Sequence, residues 1–256
     1  MGFTLQSMLK RVPMVVSPLI GGMLIAGIGV TRGVRVGLIV TLVLAALTAV
    51  LVLAINVPVR AGAAVNIRGV WRSFHHALKR LLVSDIFIRT CEGMADIFVI
   101  LYVTNVLGLS VARYGVLVAI QITTSILVYI PAGKIADRVG RKPFVIATFV
   151  CFSLYPVAVV MSSGFASLVI AFVIGGLREI GEPSRKAMIV DFARDDLRAR
   201  TVGLYYLVRR LTITPSAAIG GLLWKIAPPV PFVAAAAMGV VGTIVFAATV
   251  EERYAS

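Results

Sequence analysis

The chain has 256 residues, of which 59% are hydrophobic and only 14% are charged, and its formal net charge is +14. Soluble domains are about 45–50% apolar and about 25% charged, so this composition excludes a domain that faces water on every side. A basic balance can indicate nucleic-acid binding, but these basic residues lie between apolar runs, which favours a topological role in a membrane. Cys91 and Cys151 lie inside apolar runs, which argues against a disulfide framework and against a cysteine metal site.

Eight apolar segments, each long enough to cross a bilayer, follow one another along the chain. One of them, within Val36–Val57, carries no charge at all. Short turns join most of the segments, so we predict an all-α integral membrane bundle. The eight segments are predicted over residues 4–30, 34–56, 84–108, 111–133, 143–163, 165–189, 201–226 and 229–250.

One connection, over residues 58–83, is long. Its stretch "NIRGVWRSFHHALKRLL" (66–82) has a helical stripe of apolar residues, with arginines and lysines on the remaining positions. This pattern predicts a helix that lies in the membrane surface, with its basic side chains toward anionic headgroups. His75 and His76 are adjacent and would point about 100° apart on a helix, so they do not predict a metal site. The stripe consists of Ile67, Val70, Trp71, Phe74, Leu78 and Leu81.

The basic residues are distributed unequally between the two ends of the segments. One set of ends carries most of the lysines and arginines, and the opposite set carries only Arg32, Arg35, Arg113 and Lys225. Because cytoplasmic loops are enriched in lysine and arginine, both termini are predicted to face the cytoplasm.

A short internal repeat links the two ends of the chain. The stretch "LKRVPMVVSPLIGGML" (9–24) aligns with "VRRLTITPSAAIGGLL" (208–223), which places Gly21 and Gly22 over Gly220 and Gly221. If the repeat is real, the first two segments are equivalent to the last two, and about four helices would precede the first residue. The repeat therefore predicts an N-terminally truncated piece of a twelve-helix protein.

The stretch "GKIADRVGRKP" between the fourth and fifth segments carries a specific motif, G-x-x-x-D-R-x-G-R-[RK]. With this motif, the chain resembles the major facilitator superfamily of secondary transporters, over the family's helices five to twelve. The resemblance implies the last two helices of an N-terminal half at 1–57, a cytoplasmic linker at 58–83 and a six-helix C-terminal half at 84–256. The motif residues are Gly133, Asp137, Arg138, Gly140, Arg141 and Lys142.

The resemblance also implies a role for this loop as a latch between the two halves. Asp137 would meet the positive N-terminal end of the first segment, near Gly2 to Ser7. Arg138 and Arg141 would hold Asp137 in place or would anchor to lipid phosphate. The alternative is a basic loop that only sets the topology.

Two segments carry charges inside the membrane, and such charges are expected to face a cavity or each other. Spacings of 3 and 7 place the charges of the third segment on one helical face. Depth places Asp96 opposite Arg178, and Arg89 or Glu92 opposite Glu182 or Arg185. These groups either contact substrate and exchange protons, or form a static gate. The candidates are Arg89, Glu92 and Asp96 in the third segment and Arg178, Glu179, Glu182 and Arg185 in the sixth, which also contains Lys186.

The first segment bears on the direction of transport. Its "SPLIGG", with Pro18, Gly21 and Gly22, is similar to a fifth-helix motif of the family's antiporters, in which Ser17 replaces a glycine. The resemblance implies proton-coupled efflux of a small solute by alternating access. The alternative for these residues, and for Gly220 and Gly221, is close packing of helices.

The resemblance implies a small-molecule substrate, protons and anionic lipids as partners, and either missing N-terminal helices or a partner chain. It also implies a bacterial or archaeal cytoplasmic membrane. We expect no nucleic acid, no cofactor and no metal, and no enzymatic motif is evident. The alternative function is that of a non-transporting truncated membrane protein of the same fold: a sensor, a scaffold or an inert fragment.

Overall fold

The computed structural model describes residues 2–53 and 67–251, with side chains at all of these positions except 2–12, 15, 130 and 137. All regular structure in these ranges is helical. A π-helical turn (Tyr102–Val106) extends α4, and a 3-10 turn (Asp195–Leu197) precedes α9. The helices are α1 (Gly2–Ile28), α2 (Val30–Leu53), α3 (Ile67–Arg72), α4 (His76–Leu101), α5 (Val111–Val139), α6 (Lys142–Val160), α7 (Phe165–Leu177), α8 (Glu182–Asp191), α9 (Arg198–Ile213), α10 (Ser216–Ile226) and α11 (Val230–Thr249).

Within the described ranges, these helices form eight rods at the positions of the eight predicted segments, and this confirms the all-α bundle. Two rods are broken, α7–α8 and α9–α10. Both breaks lie beside a proline, Pro183 in the first turn of α8 and Pro215 directly before α10. Proline has no backbone N–H to continue the ladder of helical hydrogen bonds, so a helix is interrupted near it.

Four helices among the described residues are long and apolar enough to cross a membrane by length and composition alone. They are Val30–Leu53, Val111–Ala136, Lys142–Val160 and Val230–Thr249. The remaining long rods either contain a break, as in α7–α8, or carry several charges, as in α4. The strongest hydropathy belongs to α2, whose apolar side chains are exposed along its length.

The prediction of one helix over 66–82 is wrong in its extent. Helix α3 ends at Arg72, and α4 begins at His76, where the Nδ1 of His75 accepts a hydrogen bond from the N–H of Ala77. Most of the apolar stripe is buried in protein: Val70, Phe74, Leu78 and Leu81 all lie in a core cluster. Helical periodicity identifies an apolar face, but it does not distinguish a face that packs on protein from one that rests on lipid.

Two apolar clusters stabilise the rods. The first surrounds Leu81, Phe149, Tyr205 and Phe246, at the end of the bundle where α4, α6 and α9 begin. We call this end the basic end, because lysines and arginines concentrate there. The second cluster contains Val99, Tyr155, Phe172 and Phe232, at the opposite end. The charged residues of α4 lie between the two clusters.

Glycines permit the closest helix contacts. A Cβ added at Gly220 on α10 would lie 2.6 Å from the carbonyl oxygen of Met94 on α4, and one added at Gly22 would lie 3.2 Å from Cα of Ala112. Gly21 has open space around it, and Gly221 has only ordinary contact with Phe98. The predicted repeat equates Gly22 with Gly221, so the closely packed glycine occupies a different position in each copy.

Candidate functional site

The charges of α4 and α7–α8 face each other across the interior of the bundle. Arg178 lies directly after α7, and Glu182 and Arg185 lie in the first turn of α8, so the break in this rod turns charged side chains toward α4. The N–H of Gly181, within the break, donates to Oγ1 of Thr148 at 2.6 Å. This hydrogen bond ties the interruption to α6.

The ion pair between Asp96 and Arg178, which depth in the membrane predicted, is present in the structure. Nη1 of Arg178 lies 3.0 Å from Oδ1 of Asp96, and Nη2 lies 3.2 Å from Oδ2, so the contact is bidentate. The Nε of Arg178 donates to the carbonyl of Gly175 at 3.0 Å. Its guanidinium lies 4.3 Å from the ring centroid of Tyr155 and 4.9 Å from that of Phe152. Ion pairing, hydrogen bonding and cation–π contact thus fix Arg178 in one orientation.

A second group of charges lies about one helical turn closer to the basic end. Arg89 donates to Glu92 at 2.7 Å and to Glu182 at 3.0 Å. Glu182 also accepts two hydrogen bonds from Nη2 of Arg185, at 2.7 Å. The predicted contact of Arg89 with Glu182 is therefore present, and Glu182 is held by arginines from two helices.

Asp85 is the centre of a third group, which sequence reasoning missed. Its Oδ2 accepts from Arg185 at 2.6 Å and from both Tyr205 and Arg209 at 2.9 Å. The carboxylate is completely buried. Asp85 precedes Arg89 by four residues and so shares its helical face, a signal that could have included it. Tyr205 gave no such signal, and Arg209 was assigned to topology alone.

A cavity of about 320 Å³ opens beside the Asp96–Arg178 pair. Three predicted candidates, Glu92, Arg178 and Glu179, contribute to its walls, as does Lys186. Arg89, Glu182 and Arg185 belong to the neighbouring ion pairs, and Asp96 is paired with the lining residue Arg178. The remaining lining residues are Met14, Gln121, Ile122, Ser125, Tyr129, Phe152 and Gly175. The arrangement presents both signs of charge, together with amide and hydroxyl groups, to a bound solute.

The "GKIADRVGRKP" loop is compact at the basic end. Gly140 has a φ of 114°, a conformation that favours glycine, and it allows α5 to end and α6 to begin within three residues. Arg141 forms an ion pair with Asp191 at the end of α8. The predicted contact of Asp137 with residues 2–7 involves side chains that the structure does not describe.

Metal-ligating residues do not gather in the described part of the chain: no group of three or more His, Cys, Asp or Glu residues there could hold an ion. The carboxylates of Asp85, Asp96 and Glu182 are instead paired with arginines. The chemistry that this site offers is ion pairing, hydrogen bonding and proton exchange at carboxylates.

Curated relatives share part of the chain. It is 25% identical to the uncharacterized MFS-type transporter MJ1317 of Methanocaldococcus jannaschii, over 63% of this chain and 42% of that protein. It is 27% identical to the uncharacterized MFS-type transporter YqjV of Bacillus subtilis, over 53% of this chain and 33% of that protein. It is 24% identical to the quinolone resistance protein NorA of Staphylococcus aureus, over 54% of this chain and 36% of that protein.

These alignments cover less than half the length of each of the three relatives. The family model of the Major Facilitator Superfamily matches residues 81–256, from within α4 through the last helix. That region contains the three groups of ion pairs, the loop motif and all of the cavity lining except Met14. With this match and its apolar helices, the chain is an integral membrane protein that belongs to the Major Facilitator Superfamily.

Proposed function

We propose that the chain is the C-terminal part of a secondary transporter that moves a small solute by alternating access, driven by proton exchange in the direction of efflux. The observation that carries this proposal is the cavity of about 320 Å³ beside the Asp96–Arg178 ion pair. Charged side chains at such a depth are costly unless they serve a cavity or a pathway.

The accessible carboxylates supply the coupling step. The side chain of Asp96 is 34% exposed and that of Glu92 is 33% exposed, although both are ion-paired. When Asp96 is deprotonated, its carboxylate can bind a cationic group of the solute in competition with Arg178. When Asp96 accepts a proton, it loses its charge and releases that group, so the proton and the solute occupy the carboxylate in turn. One carboxylate thus exchanges a proton for a solute contact.

Two further carboxylates of the cavity would act in the same sense on a cationic solute. Glu92 and Glu179 line the cavity and would bind a cation when deprotonated. A proton that enters from the outside would then displace the cation, which is antiport. The name of the relative NorA refers to quinolone resistance, and the Pro18, Gly21 and Gly22 motif also supports export.

We assign a structural role to Glu182. Its contacts with Arg89 and Arg185 leave little of its side chain exposed, so it is a poor proton acceptor for a solute in the cavity. With Asp85 it would close the basic end, which by the positive-inside rule faces the cytoplasm. The loop with Arg141 and Asp191 would reinforce that closure.

Proteoliposomes test the proposal. The purified chain is reconstituted, a proton gradient is imposed, and its collapse on addition of a fluoroquinolone or of an organic cation is followed with a pH-sensitive dye. We expect the gradient to collapse when the solute is added. Asp96→Asn should abolish this collapse, and Asp195→Asn, at an exposed turn outside the cavity, should leave it intact. The same assay on a longer reading frame that includes upstream sequence shows whether further helices are required.

Either of two results would contradict the proposal: a collapse that is identical in the Asp96→Asn protein, or no flux in both the chain and the longer protein. The second result would favour the non-transporting alternative. Glu182→Gln sharpens the assignment of roles, because a structural role predicts residual coupled flux from a less stable protein. Complete loss of flux from a fully stable Glu182→Gln protein would move the coupling role to Glu182.

A further inference from the structure

A crevice of about 510 Å³ lies between α3 and α9, apart from the charged cavity. Ile67 and Trp71 form one wall, and Leu204 and Val208 form the other. Arg68 is the remaining lining residue, so the crevice is apolar with a basic residue at its edge. Ile67 is 58% exposed and Trp71 is 38% exposed, which leaves an apolar surface open on the side of the bundle.

Basic residues lie in and beside this crevice. Arg68 and Arg72 are exposed on α3, and the ammonium of Lys79 lies 5.7 Å from the ring centroid of Trp71. None of the five residues that line the crevice is acidic. The acidic residues of the turn before α9 are themselves paired, Asp195 with Arg198 and Asp196 with Arg194. The opening therefore carries a positive charge beside an apolar trough.

Both walls of the crevice are fixed by contacts on their other sides. Val70 and Phe74 anchor α3 in the core, and the rings of Trp71 and Phe74 lie 5.0 Å apart. On α9, Tyr205 and Arg209 donate to Asp85. A site whose walls are held in place binds a ligand without first ordering its own side chains.

We propose that this crevice is a binding site for an anionic phospholipid. One acyl chain lies along Ile67, Trp71, Leu204 and Val208, and the phosphate and its headgroup face Arg68, Arg72 and Lys79. The chemistry matches on both counts: an apolar trough accepts hydrocarbon, and clustered lysine and arginine next to a membrane attract anionic headgroups. Tryptophan is also the residue that favours the boundary between hydrocarbon and headgroup. The site is independent of solute transport and requires only that the chain lies in a bilayer.

Tryptophan fluorescence provides the test, because the chain contains two tryptophans, Trp71 in the crevice and Trp224 on α10. In the Trp224→Phe protein, Trp71 is the only reporter. This protein is reconstituted into phosphatidylcholine vesicles that contain increasing fractions of dibrominated phosphatidylglycerol, or dibrominated phosphatidylcholine for comparison. Bromine on an acyl chain quenches a tryptophan that it touches, and each signal is divided by that from the unbrominated lipid with the same headgroup.

We expect half-maximal quenching at a mole fraction of phosphatidylglycerol that is lower than that of phosphatidylcholine by about fivefold or more, the preference that a single well-placed cation provides. Replacing Arg68, Arg72 and Lys79 together by glutamine should remove the preference. The matched control replaces Arg32, Arg35 and Arg113 by glutamine, which subtracts the same charge elsewhere and should keep it. Leu204→Phe, which fills the trough, should reduce quenching by both lipids.

Three results would overturn the proposal. Equal quenching by both lipids at the same mole fraction would mean that Trp71 meets only bulk lipid. A preference that survives the triple glutamine variant, or that the control variant also loses, would mean a general surface attraction. An absence of quenching by either lipid would mean that protein covers the crevice.

Discussion

Two carboxylates on the same helix have contrasting surroundings. Asp85 is completely buried and accepts hydrogen bonds from two arginines and a tyrosine, whereas the side chain of Asp96 is 34% exposed and is paired with one arginine beside a cavity. Both are aspartates that face arginines of neighbouring helices. The difference teaches that an ion pair in a membrane is suited to proton exchange only where solvent or solute reaches it, and that a closed cluster serves to hold helices together.

The largest expected effect is in the buried group of Asp85, Arg185, Tyr205 and Arg209, which we call the closed cluster. Asp85→Asn leaves Arg209 buried without its negative partner and leaves Arg185 with Glu182 alone, and the loss of one member of a buried ion pair costs about 3–5 kcal/mol. In a chain of this size the apparent Tm in detergent should fall by about 10 °C. Asp195→Asn, which removes the same charge from an exposed pair, should change Tm by no more than about 1–2 °C. Equal shifts in the two variants would contradict the contrast between buried and accessible carboxylates.

The next largest effect is expected on transport, at the partly exposed Asp96. Asp96→Asn should lower proton-coupled flux by about tenfold or more, because the amide cannot carry the proton that a carboxylic acid carries. The apparent Tm should fall by less than in Asp85→Asn, since Asp96 is partly exposed and the amide oxygen still accepts a hydrogen bond from Arg178. Flux in proteoliposomes and thermal unfolding of the same preparation provide the two measurements. A large loss of Tm with normal flux per folded molecule would reverse the roles of the two aspartates.

A third variant tests the close packing of α10 on α4. Gly220→Ala places a methyl group 2.6 Å from the carbonyl oxygen of Met94, two residues before Asp96, so α10 must move away from α4. Overpacking of this kind costs about 1–3 kcal/mol. The neighbouring Gly221→Ala has only ordinary contacts and serves as the matched control. Thermal unfolding should separate the two variants, and identical values would show that α4 and α10 are less closely packed than the structure has them.

The smallest effect is expected when one member of the closed cluster, Tyr205, loses its hydroxyl. Tyr205→Phe removes a hydroxyl that donates to Asp85 at 2.9 Å, and both arginines remain. The loss of one hydrogen bond to a charged group should cost about 1.5–3 kcal/mol at most, and less here because two guanidiniums still neutralise Asp85. Unfolding in increasing denaturant should show a shift well below that of Asp85→Asn. A shift of equal size would assign the cluster's stability to the tyrosine.

The bundle and part of the site follow from sequence because membranes impose simple rules. Long apolar runs determine the rods, and the depth of Asp96 and Arg178 along their helices predicts that they meet. The closed cluster was harder to predict, because Tyr205 looks like any aromatic residue in a helix and becomes a partner of Asp85 only when α9 packs against α4. The extent of the helix over 66–82 was also mispredicted, because an apolar stripe has the same spacing whether it packs on protein, as at Leu78 and Leu81, or lies exposed, as at Ile67.

The interruption before Pro215 divides one membrane rod into two pieces with different attachments. α9 is tied to Asp85 through Tyr205 and Arg209, whereas α10 is packed through Gly220 against the turn of α4 that precedes Asp96. A rod with a joint transmits a tilt from one end to the other less faithfully than a continuous helix does. A tilt of α9 would therefore pass to α10 only in part, because α10 has its own contact with α4.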